Sequence, residues 1–468
     1  MNLTSCQISK IVSGELIGNK DVEIDYIYYD VLKQDNPKTP FLYIPYINNY
    51  RNIDSTNFIE TMATKGAKGV LLEKHQLTMV DTKGFQFYVI VKDLQKASLA
   101  LARHYRLQHK GKVISVTGSC GKTTSKEMIN QVFESAKIKS LKTERNINGF
   151  GGASHVLFNS EGNDWLNIEV GVNGLKRLPL LAETILPDYL LVTNIYNTHF
   201  DRIQTLEEVA SHKLKLAHNS SPPKIVVLNG DDPYLQDYVT DQTITFGFGS
   251  HNDYVIKDIH SQNLAGSSFT IFQGNEKYTV KTPLVGKHNV ANACGVFALC
   301  NSIGIEPEHI MAGISSFTGL VHENYETSGF KKVIKRHFYD DSQHFNLPGL
   351  ESGLETFFTI TPKNGYLILG YDYKFESKNF DFFDLFNILS RYKDRIKGLY
   401  LIGVEWENQS AFLDNISKEI KIFSDIKGVT KEIKTRTLPG DFVYLKGDFH
   451  QHLRKIFTLL EDKNEYRK

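Results

Sequence analysis

Val113-Ile114-Ser115-Val116-Thr117-Gly118-Ser119-Cys120-Gly121-Lys122-Thr123-Thr124 is an apolar strand that runs into a glycine loop and opens a helix at Lys122. That order of elements builds a cradle for nucleotide phosphates. Gly118 and Gly121 let backbone N–H groups turn toward phosphate oxygens, with Ser119 between them, and the helix N-terminus adds the positive end of its dipole. Lys122 is placed to reach the β and γ phosphates, the Thr123 hydroxyl to ligate Mg²⁺, and Thr124 follows in the first helical turn. The usual GxxxxGK[ST] spacing is broken, because its first position is Val116. The strand-loop-helix context supports a phosphate loop over a mere tight turn, and Cys120 reads as a tolerated loop residue rather than a redox switch.

Outward from the loop, strands and helices alternate: WLNIEVG, YLLVTNI, a helix from Leu206 to His218, then KIVVLNG. Such alternation predicts an α/β fold with a parallel sheet covered by helices on both faces. A turn-rich, antiparallel stretch is expected from Ile244 to Val280, and a helix from Asn289 to Ile303. Before the loop, the short runs FLYIPYI, GVLLE and FYVIV mix with helices around Phe58 to Lys65 and from Asp93 to Leu107, as in a small α/β domain. After about Glu323, the runs YLILG, LYLIG and FVYLKG predict buried strands, with Gln451 to Leu460 as a closing helix of a third, Rossmann-like α/β block. The expected division is 1–110, 111–322 and 323–468. A chain of 468 residues suits that number at about 100 to 200 residues per domain.

Composition narrows the partners. Apolar residues at 41% and charged residues at 23% are ordinary globular values. A formal net charge of +1 supplies no global field for nucleic acid or anionic membrane, so small molecules are the expected partners. The opening MNLTSCQISKIVSGELIG lacks the apolar core of a signal peptide, and no stretch approaches the roughly 18 apolar residues of a membrane span. A cytoplasmic monomer with reduced thiols is expected, since Cys6, Cys120, Cys294 and Cys300 are too scattered for a disulfide framework or a CxxC metal site.

TGSCGKTT also resembles the ATP loop of the Mur ligases, and further segments follow in that family's order. Lys142-Thr143-Glu144-Arg145-Asn146-Ile147-Asn148 is similar to its threonine and asparagine loop, and Glu169-Val170-Gly171 to its metal-binding Glu-x-Gly. Thr193-Asn194-Ile195-Tyr196-Asn197-Thr198-His199 resembles a family strand end, Val226 to Asp232 another strand, and Gly286-Lys287-His288-Asn289-Val290-Ala291-Asn292 the stretch that contacts adenine. Lys126-Glu127-Met128, Asp340-Asp341-Ser342 and Gly440 to Gly447 resemble the MurF-type branch, which adds D-alanyl-D-alanine to a UDP-linked muramoyl tripeptide.

The resemblance implies an enzyme, an ATP-dependent, ADP-forming ligase that converts a carboxylate to an acyl-phosphate for attack by an amine. It also implies roles. Lys122 acts on the phosphates, Thr123 and Glu169 hold one Mg²⁺, and His199 helps hold a second. Lys213 aligns with a lysine that several members carry as a carbamate; a solvated helix lysine is the plain alternative, and Lys215 offers a second register. Asn289 and Asn292 share a helix face suited to adenine, while Asp340 and Asp341 would come from the third domain to the ATP ribose and to an amino acid or dipeptide amine. Closure of the domains on the site is expected.

The family pattern breaks where substrates bind. Its Asp-Ser-Arg and Asp-Gly-His read Tyr28-Tyr29-Asp30 and Tyr50-Arg51-Asn52 here, its Gly-Glu-Ile reads Lys176-Arg177-Leu178, and its boundary Gly-Arg reads Val321-His322. Its Tyr-Asn-Ala-Asn-Pro falls on Gln343 to Pro348, and its Lys-Gly-Ser on Lys446-Gly447-Asp448. Three readings follow: a MurF-like ligase on a non-standard acid and amine, a diverged enzyme of peptidoglycan synthesis, or a non-catalytic ATP-binding partner. Retained Lys122, Thr123, Glu169 and His199 weigh against the last.

Overall fold

The computed structural model describes residues 2–29, 38–48, 53–145, 147–171, 177–196, 205–261, 266–319, 329–342, 345–361, 364–370, 382–403, 406, 416–417, 419–447 and 453–461. Three larger sheets, of five, nine and six strands, follow one another along the chain. The near-continuous apolar runs of their strands are what a sheet buried on both faces requires.

The central sheet is ordered Ser140–Lys142, Trp165–Glu169, Lys112–Thr117, Tyr189–Val192, Ile225–Asn229, Thr243–Gly247, Tyr254–Ser261, Ser267–Gln273, Glu276–Thr282. Neighbours pair in parallel as far as Tyr254–Ser261, and the last two strands are antiparallel. Alternate residues of Lys112–Thr117 feed the two faces. Val113 joins a core with Leu166, Leu190, Leu181 and Ala153, whereas Ile114 and Val116 join Met128, Val132, Phe297 and Ile314. Helices Lys122–Ser135, Lys287–Ser302 and Pro307–Ser316 cover the second face, and Phe150–Phe158, Leu178–Ile185 and Leu206–Lys213 the first.

Two expectations are corrected in this region. The antiparallel stretch starts at Tyr254 rather than Ile244, because Thr243–Gly247 lies parallel to Ile225–Asn229, and Phe246 and Gly247 pair in parallel with Tyr254 and Val255. So short a connection suffices for two paired positions, pinned by Asp253, whose Oδ2 accepts from Thr245 N–H (2.8 Å) and Oγ1 (2.9 Å). The helix expected from Leu206 to His218 is α-helical only to Lys213, then tightens to a 3₁₀ turn over Leu214–Leu216.

The first sheet is ordered Glu15–Gly18, Phe87–Val91, Ala67–Glu73, Phe41–Ile44, Tyr26–Tyr29; only its first pair is antiparallel. Helix Leu94–Gln108, capped by Asp93 accepting from Lys96 N–H (2.9 Å), packs its Leu101, Ala102 and Tyr105 into the same core as the central sheet. The third sheet is ordered Gly329–Val333, Arg336–Asp341, Phe442–Gly447, Gly365–Gly370, Ile396–Ile402, Ile420–Phe423 and is parallel after its first pair. Helices Leu347–Ile360 and Phe382–Ser390 cover one face, Ile426–Arg436 and Lys455–Glu461 the other. No described helix is long and apolar enough to cross a membrane.

Candidate active site at the phosphate loop

The loop is shaped by its neighbours as much as by its own glycines. Gly118 and Gly121 take φ of +143° and +80°, where a side chain is strained. A Cβ on Gly118 would run into Thr193 Oγ1, and one on Gly121 would meet Asn292 Oδ1 at 2.5 Å. From the adjoining strand end, Thr193 Oγ1 donates to the Cys120 carbonyl (2.6 Å), while Asn194 accepts from Cys120 N–H (2.8 Å) and donates back to its carbonyl (3.1 Å). Ser119 Oγ accepts from Tyr196 N–H (2.8 Å) and donates to the Tyr196 carbonyl (2.7 Å). Behind them, buried Asp232 accepts from Ile195 N–H (2.6 Å) and Tyr234 N–H (3.1 Å).

Lys122, first residue of its helix, folds back to donate to the Gly118 (2.9 Å) and Ser119 (3.0 Å) carbonyls. That holds the ammonium over the loop. Thr123 and Thr124 are half-buried in the same turn. Burial pushes the Cys120 thiol up, against the pull of Lys122, Lys446 and Lys213, so cations from three separate elements converge on this loop. The anion-binding character is thus built before any ligand arrives.

One strand over, Glu169 pairs in register with Val116, which puts it at the same sheet edge as the loop. Its carboxylate is buried; Oε1 accepts from Asn148 Nδ2 (2.8 Å), and the Glu169 N–H donates to Thr143 Oγ1 (2.9 Å). Oε2 has no hydrogen-bond donor among the described residues, and the Lys126 ammonium lies 3.7 Å from it. A buried carboxylate oxygen left in that state is costly, and an oxygen-seeking cation removes the cost. The donor set fits Mg²⁺. Among the described residues no three His, Cys, Asp or Glu side chains converge, so phosphate oxygens and the Thr123 hydroxyl would complete such a site.

Lys213 closes the ring. Its side chain is half-buried, and burial first, then Lys122, lower its ammonium from its ordinary 10.5 to about 7, with Cys120 opposing. Lys215, two residues on, is exposed. From the third sheet, Asp341 faces the cleft: its Oδ2 accepts from Lys446 Nζ (2.8 Å) and Tyr444 OH (2.8 Å).

Comparison with known proteins bears on this corner directly. Residues 116–300, the span that carries the loop, Glu169, Lys213 and Asn292, match the Mur ligase middle domain. The UDP-N-acetylmuramoyl-tripeptide–D-alanyl-D-alanine ligase of Bacillus subtilis is 32% identical over 284 residues, 60% of this chain and 61% of that one. Over these stretches the chain is similar to the Mur ligases. The match spans less than two thirds of that relative's length. Over nearly the whole chain, the fold follows the MurF of Acinetobacter baumannii, with a TM-score of 0.82 at 17% identity over 98% of this chain and 99% of that one. It also follows the MurF ligase of Thermotoga maritima in complex with ADP, at 0.71 and 19% over 90% and 94%.

Set against the Mur ligase pattern, most named residues come together, and some do not. Gly118, Ser119, Gly121, Lys122, Thr123, Thr124, Glu169, Lys213 and Asn292 gather at one edge of the central sheet. Asn289 donates to the Val285 carbonyl (2.8 Å) and so braces the start of its helix, while Asn292 packs on Gly121. The expectation for Asp340 is corrected. Its side chain is fully buried on the far face of its strand, bonded to Ser342 and ion-paired with Arg454 (3.1 Å) and Lys331 (3.5 Å), so Asp341 is the carboxylate that reaches the cleft. His199 lies outside the described residues, as do Asp30, Tyr50, Arg51, Asn52, Asn146, Lys176, Val321, His322, Gln343, His344 and Asp448. Sequence reasoning gave no role to Asp232, Asn194 or Lys126. Each works through backbone groups or burial, which residue type alone does not signal.

Proposed function

We propose that this chain is a Mur ligase of the MurF type, an ATP-dependent, ADP-forming amide ligase joining a small-molecule carboxylate to an amino acid or dipeptide amine through an acyl-phosphate. The observation that carries it is the buried, donor-free Glu169 Oε2 at the edge of a preformed phosphate loop. The loop N–H groups and Lys122 bind the phosphates; Thr123 and Glu169 would hold one Mg²⁺, and His199 a second. When bound, these ions neutralise phosphate charge. Lys213, with an ammonium held near pH 7, presents a neutral amine at physiological pH. Its Nζ attacks CO₂, forming an N–C bond and releasing a proton, and the resulting carbamate supplies an oxygen ligand at the cleft. Asp341 and Lys446 approach the loop from the third sheet, where Asp341 suits the ribose.

In this proposal residues 1–110 take the acid, 111–322 the ATP and 323–468 the amine, in a cytoplasmic monomer. The peptidoglycan pair, UDP-muramoyl tripeptide and D-alanyl-D-alanine, is the first substrate set to try. Tyr28-Tyr29-Asp30, standing where the family has Asp-Ser-Arg, favours a second reading with a different acid. The test is phosphate release and product mass with Mg²⁺ and bicarbonate. Product from the peptidoglycan pair supports the first substrate assignment. Turnover only with another acid and amine supports the second, and a protein silent with every pair while still binding ATP is no ligase.

A further inference from the structure

Lys126 is completely buried, yet the chemistry above gives it no task. It lies one turn beyond Lys122 on helix Lys122–Ser135, so one rigid element carries the phosphate-binding lysine, the Thr123 hydroxyl and this inward-facing cation. Its Nζ donates to the Thr143 (2.7 Å) and Arg145 (2.7 Å) carbonyls, pairs with Glu127 Oε1 (2.9 Å), and stands 3.7 Å from Glu169 Oε2. Arg145 adopts φ +51°, a left-handed conformation that a non-glycine residue resists, and in it offers its carbonyl to Lys126. Thr143 in turn accepts the Glu169 N–H. Two routes to Glu169, through its backbone and through its carboxylate, therefore run to one ammonium.

At 3.7 Å the Lys126–Glu169 separation is too long for a hydrogen bond, so Oε2 is held by the field of the cation while its lone pairs stay free. Glu127 also pairs with Lys142, and although burial alone would raise its carboxyl, Lys126 and Lys142 hold it below the usual range. The four side chains balance in charge: Lys126 and Lys142 against Glu127 and Glu169.

We propose that Lys126 is a positioning residue that ties the phosphate-loop helix to Glu169 and so sets the affinity of the nucleotide site for its divalent cation. This rests on Glu169 being a metal ligand, as proposed above. Substitutions behind a metal ligand commonly cost 10- to 100-fold in metal affinity.

The test is calorimetric binding of ADP, in Mg²⁺ and in EDTA, to the wild type, Lys126→Met and the charge-balanced Lys126→Met/Glu127→Gln. The double variant keeps the test open where the single one fails to fold. The expected result is a magnesium-dependent gain in ADP affinity that falls about tenfold or more in the variants, with affinity in EDTA unchanged. A gain retained or increased in the double variant overturns the proposal, as does an equal loss in Mg²⁺ and EDTA, which would mark a purely structural lysine. A wild type with no magnesium-dependent gain would remove the metal assignment of Glu169 itself, and this inference with it.

Discussion

The two junctions of the chain are made of opposite materials. Between the first and central sheets a single apolar core runs from Leu3 to Leu235. Arg106 crosses the same boundary to the Ile185 (2.7 Å) and Leu186 (2.7 Å) carbonyls and Asp188 Oδ2 (3.0 Å), and Arg103 bonds Glu183. Between the central and third sheets, the direct side-chain bonds among the described residues are polar and exposed: Lys287 to Glu355 (2.8 Å) and Ser352 to His288 (2.7 Å). Apolar burial does not separate readily, whereas exposed ion pairs contribute only about 0.2–1 kcal/mol each. On this account one wall of the proposed nucleotide site is fixed, and the other is expected to move. Stability should reside at the first junction and turnover at the corner where the second closes.

Substitutions can break that division of labour. The largest effect is expected from Lys122→Ala, which removes a preorganised cation from the phosphates. Turnover should fall about a hundred- to a thousandfold while the thermal midpoint stays near that of the wild type, as steady-state kinetics and calorimetry would show. Next, Arg106→Ala should cost about 3 kcal/mol in denaturant unfolding, because it leaves the largely buried Asp188 without its principal partner at the fixed junction. A loss under 1 kcal/mol would mean that this junction is no firmer than the other.

The third prediction is a pH dependence. The Lys213 ammonium is disfavoured in the folded chain, which releases that proton near pH 7, whereas the unfolded chain keeps it to about 10.5. The penalty to stability is complete below about 7 and disappears as pH rises toward 10.5. Turnover should rise with pH through about 7 in bicarbonate, and Lys213→Ala should abolish that limb of the rate profile. The smallest effect belongs to Lys287→Ala at the movable junction. Its exposed pair should shift stability by less than about 0.5 kcal/mol, so a larger loss of folding stability would contradict the comparison.

Much of this was legible before any coordinates, for local reasons. A strand that breaks at glycine and restarts as a helix with Lys122-Thr123-Thr124 specifies a phosphate loop within a dozen residues, and apolar runs of strand length specify a buried parallel sheet. What stayed hidden depends on distant pairing. Neighbouring residues of a strand point to opposite faces, so only the register of Asp341 with Lys446 shows which of Asp340 and Asp341 meets the cleft. Thr243–Gly247 reads the same whether its partner runs parallel or antiparallel. Lys126 has the look of a solvated helix lysine until the Thr143–Arg145 carbonyls are seen to enclose it. Lys213 and Lys215 are separable only by exposure.

The central claim, that this corner activates a carboxylate with ATP, is tested most directly by isotope transfer. The acid whose coupling is observed would be labelled with ¹⁸O in its carboxylate, and the inorganic phosphate released during amide formation analysed by mass. Label from the carboxylate appearing in the phosphate is the predicted result, since an acyl-phosphate leaves one carboxylate oxygen on phosphorus. Unlabelled phosphate formed alongside the amide would contradict it.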